Sequence, residues 1–213
     1  MQIPAKIYDI SVLLGEESIT FPGDPDYCRE DILTIEDSGI CNLSGLSFSA
    51  HAGTHIDAPS HFVKDGKTID QYAAKEFILP AIVIDVESPS AIYPAELEKA
   101  DIQSGDAVLF RTQNSLTGRC RNGVYSKNYV YLSPEAATYC VEKNAALVGI
   151  DYITIEQHGN DAFPSHHIVL SKEIFILEGI NLLDVPPGRY TLICLPLRIK
   201  NCEASPVRAI LIP

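Results

Sequence analysis

Three histidines and one aspartate crowd into eleven residues, His51-Ala-Gly-Thr-His55-Ile-Asp57-Ala-Pro-Ser-His61, and this segment restricts the backbone more than any other. Imidazole and carboxylate donors together suit Zn²⁺, Mn²⁺ or Fe²⁺. Two histidines four residues apart could share a helix face, but Gly53 between them and Pro59 after them oppose a helix. On a strand, at ~3.3 Å per residue, His51 and His55 would stand ~13 Å apart. One ion with bonds of ~2.1 Å does not span that gap. If both bind one metal, the chain must fold back between them. Gly53, which carries no Cβ penalty, is where that turn is expected.

The other three histidines, His158, His166 and His167, follow 96 histidine-free residues. Sixteen Lys+Arg against 28 Asp+Glu leave a net charge of −12, without the basic stretch that nucleic-acid binding needs. No apolar run approaches the ~18 residues of a membrane span, and the opening MQIPAKIYDI has no signal-peptide core, so a cytoplasmic protein is expected. No CxxC pair occurs among the six cysteines, which read as reduced and mostly buried.

No repeat or linker divides the chain, and residues 1–213 read as one domain. Strand-like segments dominate: 7–12, 32–35, 43–50, 78–86, 107–111, 145–150, 174–177, 190–196 and 207–212. Leu46, Phe48 and Ala50 alternate with Ser47 and Ser49, the pattern of a half-buried strand. Helices are expected at 68–77, 94–100 and 133–143, the last with Ser133 as N-cap and Pro134 in its first turn. The class is therefore α/β or α+β, a mixed sheet with a few covering helices. Residues 112–131 form a long polar segment with little periodicity, expected to be functional or flexible. Arg111, Gln113 and Asn114 lie at its start and could either touch substrate or serve structural hydrogen bonds. His158 reads as a surface histidine.

Glu178 ends the apolar run Ile174-Phe-Ile-Leu177. A carboxylate there is costly unless it is paired or holds a cation.

The full pattern H-x-G-T-H-x-D-x-P-x-H resembles the signature of the metal-dependent cyclase family, which includes bacterial kynurenine formamidases (arylformamidases) and isatin hydrolase. The resemblance extends along nearly the whole chain, through Asp9-Ile-Ser11, Phe21-Pro-Gly-Asp24, Phe110-Arg-Thr112, Gly149-Ile-Asp151, Phe163-Pro-Ser-His166, Glu178 and Pro196-Leu-Arg198. It implies a swivelling β/β/α domain that assembles as a homodimer or homotetramer. It also implies one or two divalent ions, zinc or manganese, and a small-molecule amide substrate. By the same resemblance, His51, His55 and Asp57 are ligands of a first metal, with Asp57 able to bridge to a second. His166 and Glu178 are the distal ligands, and the Phe-Pro-x-His pattern favours His166 over its neighbour His167. His61 is implied as the acid/base beside the metals. Phe21 stands where formamidases commonly carry a tryptophan against the aryl ring, and this chain has no tryptophan. Relatives that open a lactam ring use the same metal kit.

Overall fold

The computed structural model describes residues 6–213; residues 1–5, part of the opening stretch read for a signal peptide, lie outside it. Strands β1 (Tyr8–Asp9), β2 (Cys28–Leu33) and β3 (Leu43–Ser47) precede the short β4 (His55–Asp57). Then come β5 (Ile78–Asp85), β6 (Ala91–Ile92), β7 (Ala107–Arg111), β8 (Tyr131–Leu132) and β9 (Leu147–Ile150). The last four are β10 (Phe175–Glu178), β11 (Gly188–Ile193), β12 (Ala204–Pro206) and β13 (Ile210–Ile212). The helices are α1 (Ile35–Ser38), α2 (Pro94–Leu97), α3 (Gln113–Leu116), α4 (Pro134–Glu142) and α5 (Pro164–Leu170).

Nine strands form one mixed sheet in the order β1-β13-β11-β5-β7-β9-β10-β4-β12. Its centre, β5-β7-β9-β10, is parallel, and the pairs outside it are antiparallel. Parallel strands need both faces covered, and the sequence alternation serves this with two apolar sets rather than one. Ile82, Ile84, Val108, Phe110, Val148, Ile150 and Ile176 face one core with Ala136, Ala137 and Cys140 of α4 and Val169 and Leu170 of α5. Ala81, Val83, Ala107, Leu109, Leu147, Phe175 and Leu177 face the other with Ile10, Ile56 and Phe77. This is an α/β fold in which the longer helices cover one face of a mixed sheet.

Helix α4 matches expectation: Ser133 Oγ accepts the Ala136 N–H at 3.1 Å and Pro134 occupies the first turn. The expected helix over 68–77 is instead two 3₁₀ turns, Ile69–Gln71 and Ala74–Phe77, with Tyr72 and Ala73 extended between them. Gln71 Oε1 accepts from the Thr68 N–H and Glu76 Oε1 from the Ala73 N–H, so each turn is closed by its own side chain and the ladder restarts. Helix 94–100 is shorter than expected and ends at Leu97. The strand expected at 43–50 stops at Ser47 and pairs only with β2, in a hairpin whose residues are mostly exposed, so its alternation reports no buried face. Cys120, Cys140 and Cys194 are buried, whereas Cys28 and Cys41 are exposed and Cys202 lies between, so burial claims half of the cysteines. Helix α5 was not expected: it carries β-branched Ile168 and Val169, which disfavour a helix, and nothing local caps it. The long polar segment 112–131 is ordered around α3 and the turn Arg119–Arg121.

Candidate metal centre

The fold-back lies where the sequence demands it. Gly53 has φ +63°, and the rings of His51 and His55 are 5.1 Å apart instead of a strand's span. A Cβ added at Gly179, just past β10, would collide with the Gly53 carbonyl, so the turn is packed backbone against backbone. Thr54 fastens it, donating from Oγ1 to the Gly179 carbonyl at 2.6 Å and accepting the Val12 N–H at 2.9 Å.

Two residues apart on β4, His55 and Asp57 project to one face of the sheet. The antiparallel register sets Glu178 of β10 opposite His55, with Glu178 Oε2 3.3 Å from His55 Nε2. Helix α5 brings His166 alongside, its Nε2 3.5 Å from Glu178 Oε1. The turn Pro59–His61 carries the His61 ring to 4.2 Å from that of His51 and 6.0 Å from that of His166. His51, Asp57 and His61 form one group of donor atoms within 4.8 Å of one another, and His55, Asp57 and Glu178 form a second, with Asp57 common to both. The five candidate ligands and His61 are thus brought together, Phe21 lines the adjoining cavity, and the exposed His167 is not among them.

Second partners fix which ring nitrogen faces the centre. His55 Nδ1 lies 3.0 Å from the Gly53 carbonyl, which accepts its proton and leaves Nε2 with a lone pair. Glu156 does the same for His166: its Oε2 is 3.2 Å from His166 Nδ1 and also accepts the N–H groups of Ser165 at 3.1 Å and His166 at 3.3 Å. That one carboxylate replaces the missing cap of α5 and orients the ring. Glu156 was not anticipated, although it ends the apolar run Ile153-Thr-Ile155 just as Glu178 ends its own. Glu203, also unanticipated, lies with Oε1 3.5 Å from His51 Nε2.

Whether these residues fit a metal is decided by their unpaired atoms. His55 Nε2 and both Asp57 oxygens are buried without a hydrogen-bond partner; His51 Nδ1 lies 3.0 Å from Asp57 Oδ1 but out of line for one. Leaving such acceptors bare is expensive unless a cation completes them. The donor set fits.

The protonation states agree. Burial alone would lower His51, but Asp57, Glu178 and Glu203 more than offset it and raise its pKa to about 9. For His166, burial is likewise overcome, by Glu156 and Glu178, giving about 9. Asp57 and Glu178 are penalised by burial yet held below the usual carboxylate range by the surrounding imidazoles. His61 goes the other way: burial, helped by His51 and His166, holds it below its ordinary value despite Asp57.

His51, His55, His61, His166 and Glu178 line a cavity of about 180 Å³ walled by Phe21, Phe62 and Phe163. A larger one, of about 240 Å³ against Asp85, Glu87 and Lys99, holds no histidine, and the chemistry points to the smaller. Arg111 instead grips Asp85 with two hydrogen bonds, and Asn114 bonds the Val130 carbonyl and buried Asp151, so both are structural. His158 is exposed and meets only the Tyr125 hydroxyl.

A mixed sheet carrying a bent imidazole and carboxylate cluster at the floor of a cleft is a metal-site architecture. The chain belongs to the cyclase family, whose model, described as putative cyclase, matches residues 8–157. A kynurenine formamidase of Bacillus anthracis is 34% identical over 209 residues, covering 98% of each chain. A predicted metal-dependent hydrolase from Bacillus stearothermophilus superposes with TM-score 0.83 at 31% identity, covering 97% of each chain. Isatin hydrolase A from Ralstonia solanacearum, at 23% identity, shares the fold with TM-score 0.84 over 98% of this chain and 92% of its own. Among the described residues no helix is long and apolar enough to cross a membrane.

Proposed function

We propose that this chain hydrolyses the amide of an aryl formamide, with N-formylkynurenine as substrate and kynurenine and formate as products. The observation that carries this reading is the set of buried, unpaired atoms of His55 and Asp57, grouped with Glu178 where His55 and Glu178 line an aromatic-walled cavity. His51, His55, Asp57, His166 and Glu178 would hold one or two ions, and three imidazoles with two carboxylates accept Zn²⁺ or Mn²⁺. A bound ion would supply Lewis-acid polarisation of the carbonyl and would acidify water.

The chain's own residues do the rest. Held below its ordinary pKa, His61 is neutral at pH 7, able to take a proton on a ring nitrogen and return it to the departing amine. Phe21 and Phe163 offer faces for the aryl ring and exclude water from the floor. The exposed apolar side chains Ile32, Ile35, Ile40, Leu43 and Leu46 on and around the hairpin support a homo-oligomer, with a dimer the simplest closed form. Six unpaired cysteines, two of them exposed, support a reducing compartment such as the cytoplasm.

The test is hydrolysis of N-formylkynurenine, formanilide and isatin by protein loaded with zinc or manganese, with metal content measured on the same samples. Formamide cleavage that tracks metal content is expected. Protein that holds only trace metal after loading, or that opens isatin while leaving both formamides intact, overturns the proposal.

A further inference from the structure

A second cavity, of about 150 Å³, adjoins the first, and the two share Phe21, Thr154 and Phe163 as walls. At this seam Phe163 adopts a left-handed backbone, φ 46° and ψ 48°, which a bulky residue visits only when its surroundings enforce it. Pro164 disfavours the ordinary helical conformation there, and the Phe163 ring packs against Phe62 at 5.2 Å. An elongated substrate with its reacting end at the metal ligands would pass this seam.

The far cavity differs in chemistry from the near one. It offers Tyr125, Gln157, His158, Asn160 and Asp161, and no lysine or arginine; a second carboxylate, Glu156, also lines it but is engaged by the Ser165 and His166 N–H groups and the His166 ring. The Tyr125 hydroxyl lies 3.1 Å from His158 Nδ1; when it donates there, His158 Nε2–H remains as a donor into the cleft. Asn160 Oδ1 accepts the Ala162 N–H, which leaves the Asn160 amide NH₂ free to donate. Asp161 makes no ion pair among the described residues. A lone anion would meet Asp161 without a compensating cation. Neutral donors beside one free carboxylate match a group that carries both charges.

Resting on the activity proposed above, we infer that this second cavity is a subsite for a zwitterionic α-amino-acid tail on the aryl substrate. Asp161 takes the ammonium, and the Tyr125–His158 pair with Asn160 takes the carboxylate. The subsite separates tailed aryl formamides from plain ones.

Steady-state kinetics of Asp161→Asn and Tyr125→Phe, each with N-formylkynurenine and with tail-less formanilide, tests this. Both changes lie on or near the surface and remove only a charge or a hydroxyl, and circular dichroism verifies the fold. KM for N-formylkynurenine should rise about tenfold or more, the loss expected for a hydrogen bond to a charged group, with kcat held and formanilide kcat/KM within about twofold. Equal effects on both substrates, or none on either, refute the subsite while leaving the hydrolase reading intact. Wild-type enzyme that cleaves neither formamide refutes that reading and the subsite with it.

Discussion

Replacing Glu156 with leucine removes an acceptor while nearly conserving shape. Glu156 is 3% exposed and serves three groups at once: the Ser165 and His166 N–H groups and the His166 ring. Each backbone N–H left unpaired in a buried place costs about 1–3 kcal/mol, so the metal-free variant should lose roughly 2–6 kcal/mol of stability. Metal binding is subject to two opposed effects. Losing the partner that orients a ligating histidine typically lowers metal affinity about 10–100-fold. Yet Glu156 is also one of the two carboxylates, with Glu178, that raise His166 to about 9, so at pH 7 an ion must first displace a proton, at a cost on the order of a few kcal/mol. Removing Glu156 relieves part of that competition. The affinity deficit should therefore be partial at pH 7 and approach the full 10–100-fold near pH 9, where little proton competition remains. Glu156→Gln, which keeps a carbonyl acceptor, should recover most of the affinity at both pH values. Competition with a chelator at the two pH values, on both variants, measures this. A leucine variant that binds metal within twofold of wild type at pH 9 would refute the orienting role, as would a glutamine variant no better than leucine.

Three further outcomes follow from the site and surface. His61→Ala should keep its metal and fold but turn over amides at least ~100-fold more slowly, and wild-type kcat/KM should fall as pH drops below about 6.5; near-normal kcat would place the proton on another group, and lost metal would make His61 a ligand. Because metal-free His51 and His166 hold protons up to about 9, apparent metal affinity should climb by up to about two log units per pH unit from pH 7 toward 9. The same raised values give the metal-free fold a stabilisation fully present below about pH 6.5 and lost as pH rises through about 9, readable as a falling denaturant midpoint. If the proposed homo-oligomer forms through the hairpin, introducing lysine at Ile40, 81% exposed, and at Leu46 should lower the mass measured by light scattering to that of a monomer, and an unchanged oligomeric mass would remove the hairpin from the interface.

Features with a local cause are legible in the amino-acid sequence. The spacing of His51, Gly53, His55 and Asp57 required a reversal at the glycine, because neither a helix nor an extended strand converges those donors. Short β-branched or aromatic runs bounded by turn residues marked β5, β7 and β10 as strands, and the Ser133 cap with Pro134 marked α4. The family pattern implied His166 and Glu178 as the remaining candidate ligands, and the fold places Glu178 beside His55 and His166 beside Glu178. Other features depend on partners far apart in the chain and emerge only on packing. Glu178 faces His55 because the β4–β10 register places it there, 123 positions away. Helix α5 exists against its β-branched composition because Glu156, outside the helix, accepts its first N–H groups. The alternation at 43–50 promised a buried face that its hairpin does not have, since periodicity reports which side chains share a side and not what covers them. Short-range patterns carry backbone preference and donor identity, whereas register, distant capping and the covering of a face arise only when segments remote in sequence pack.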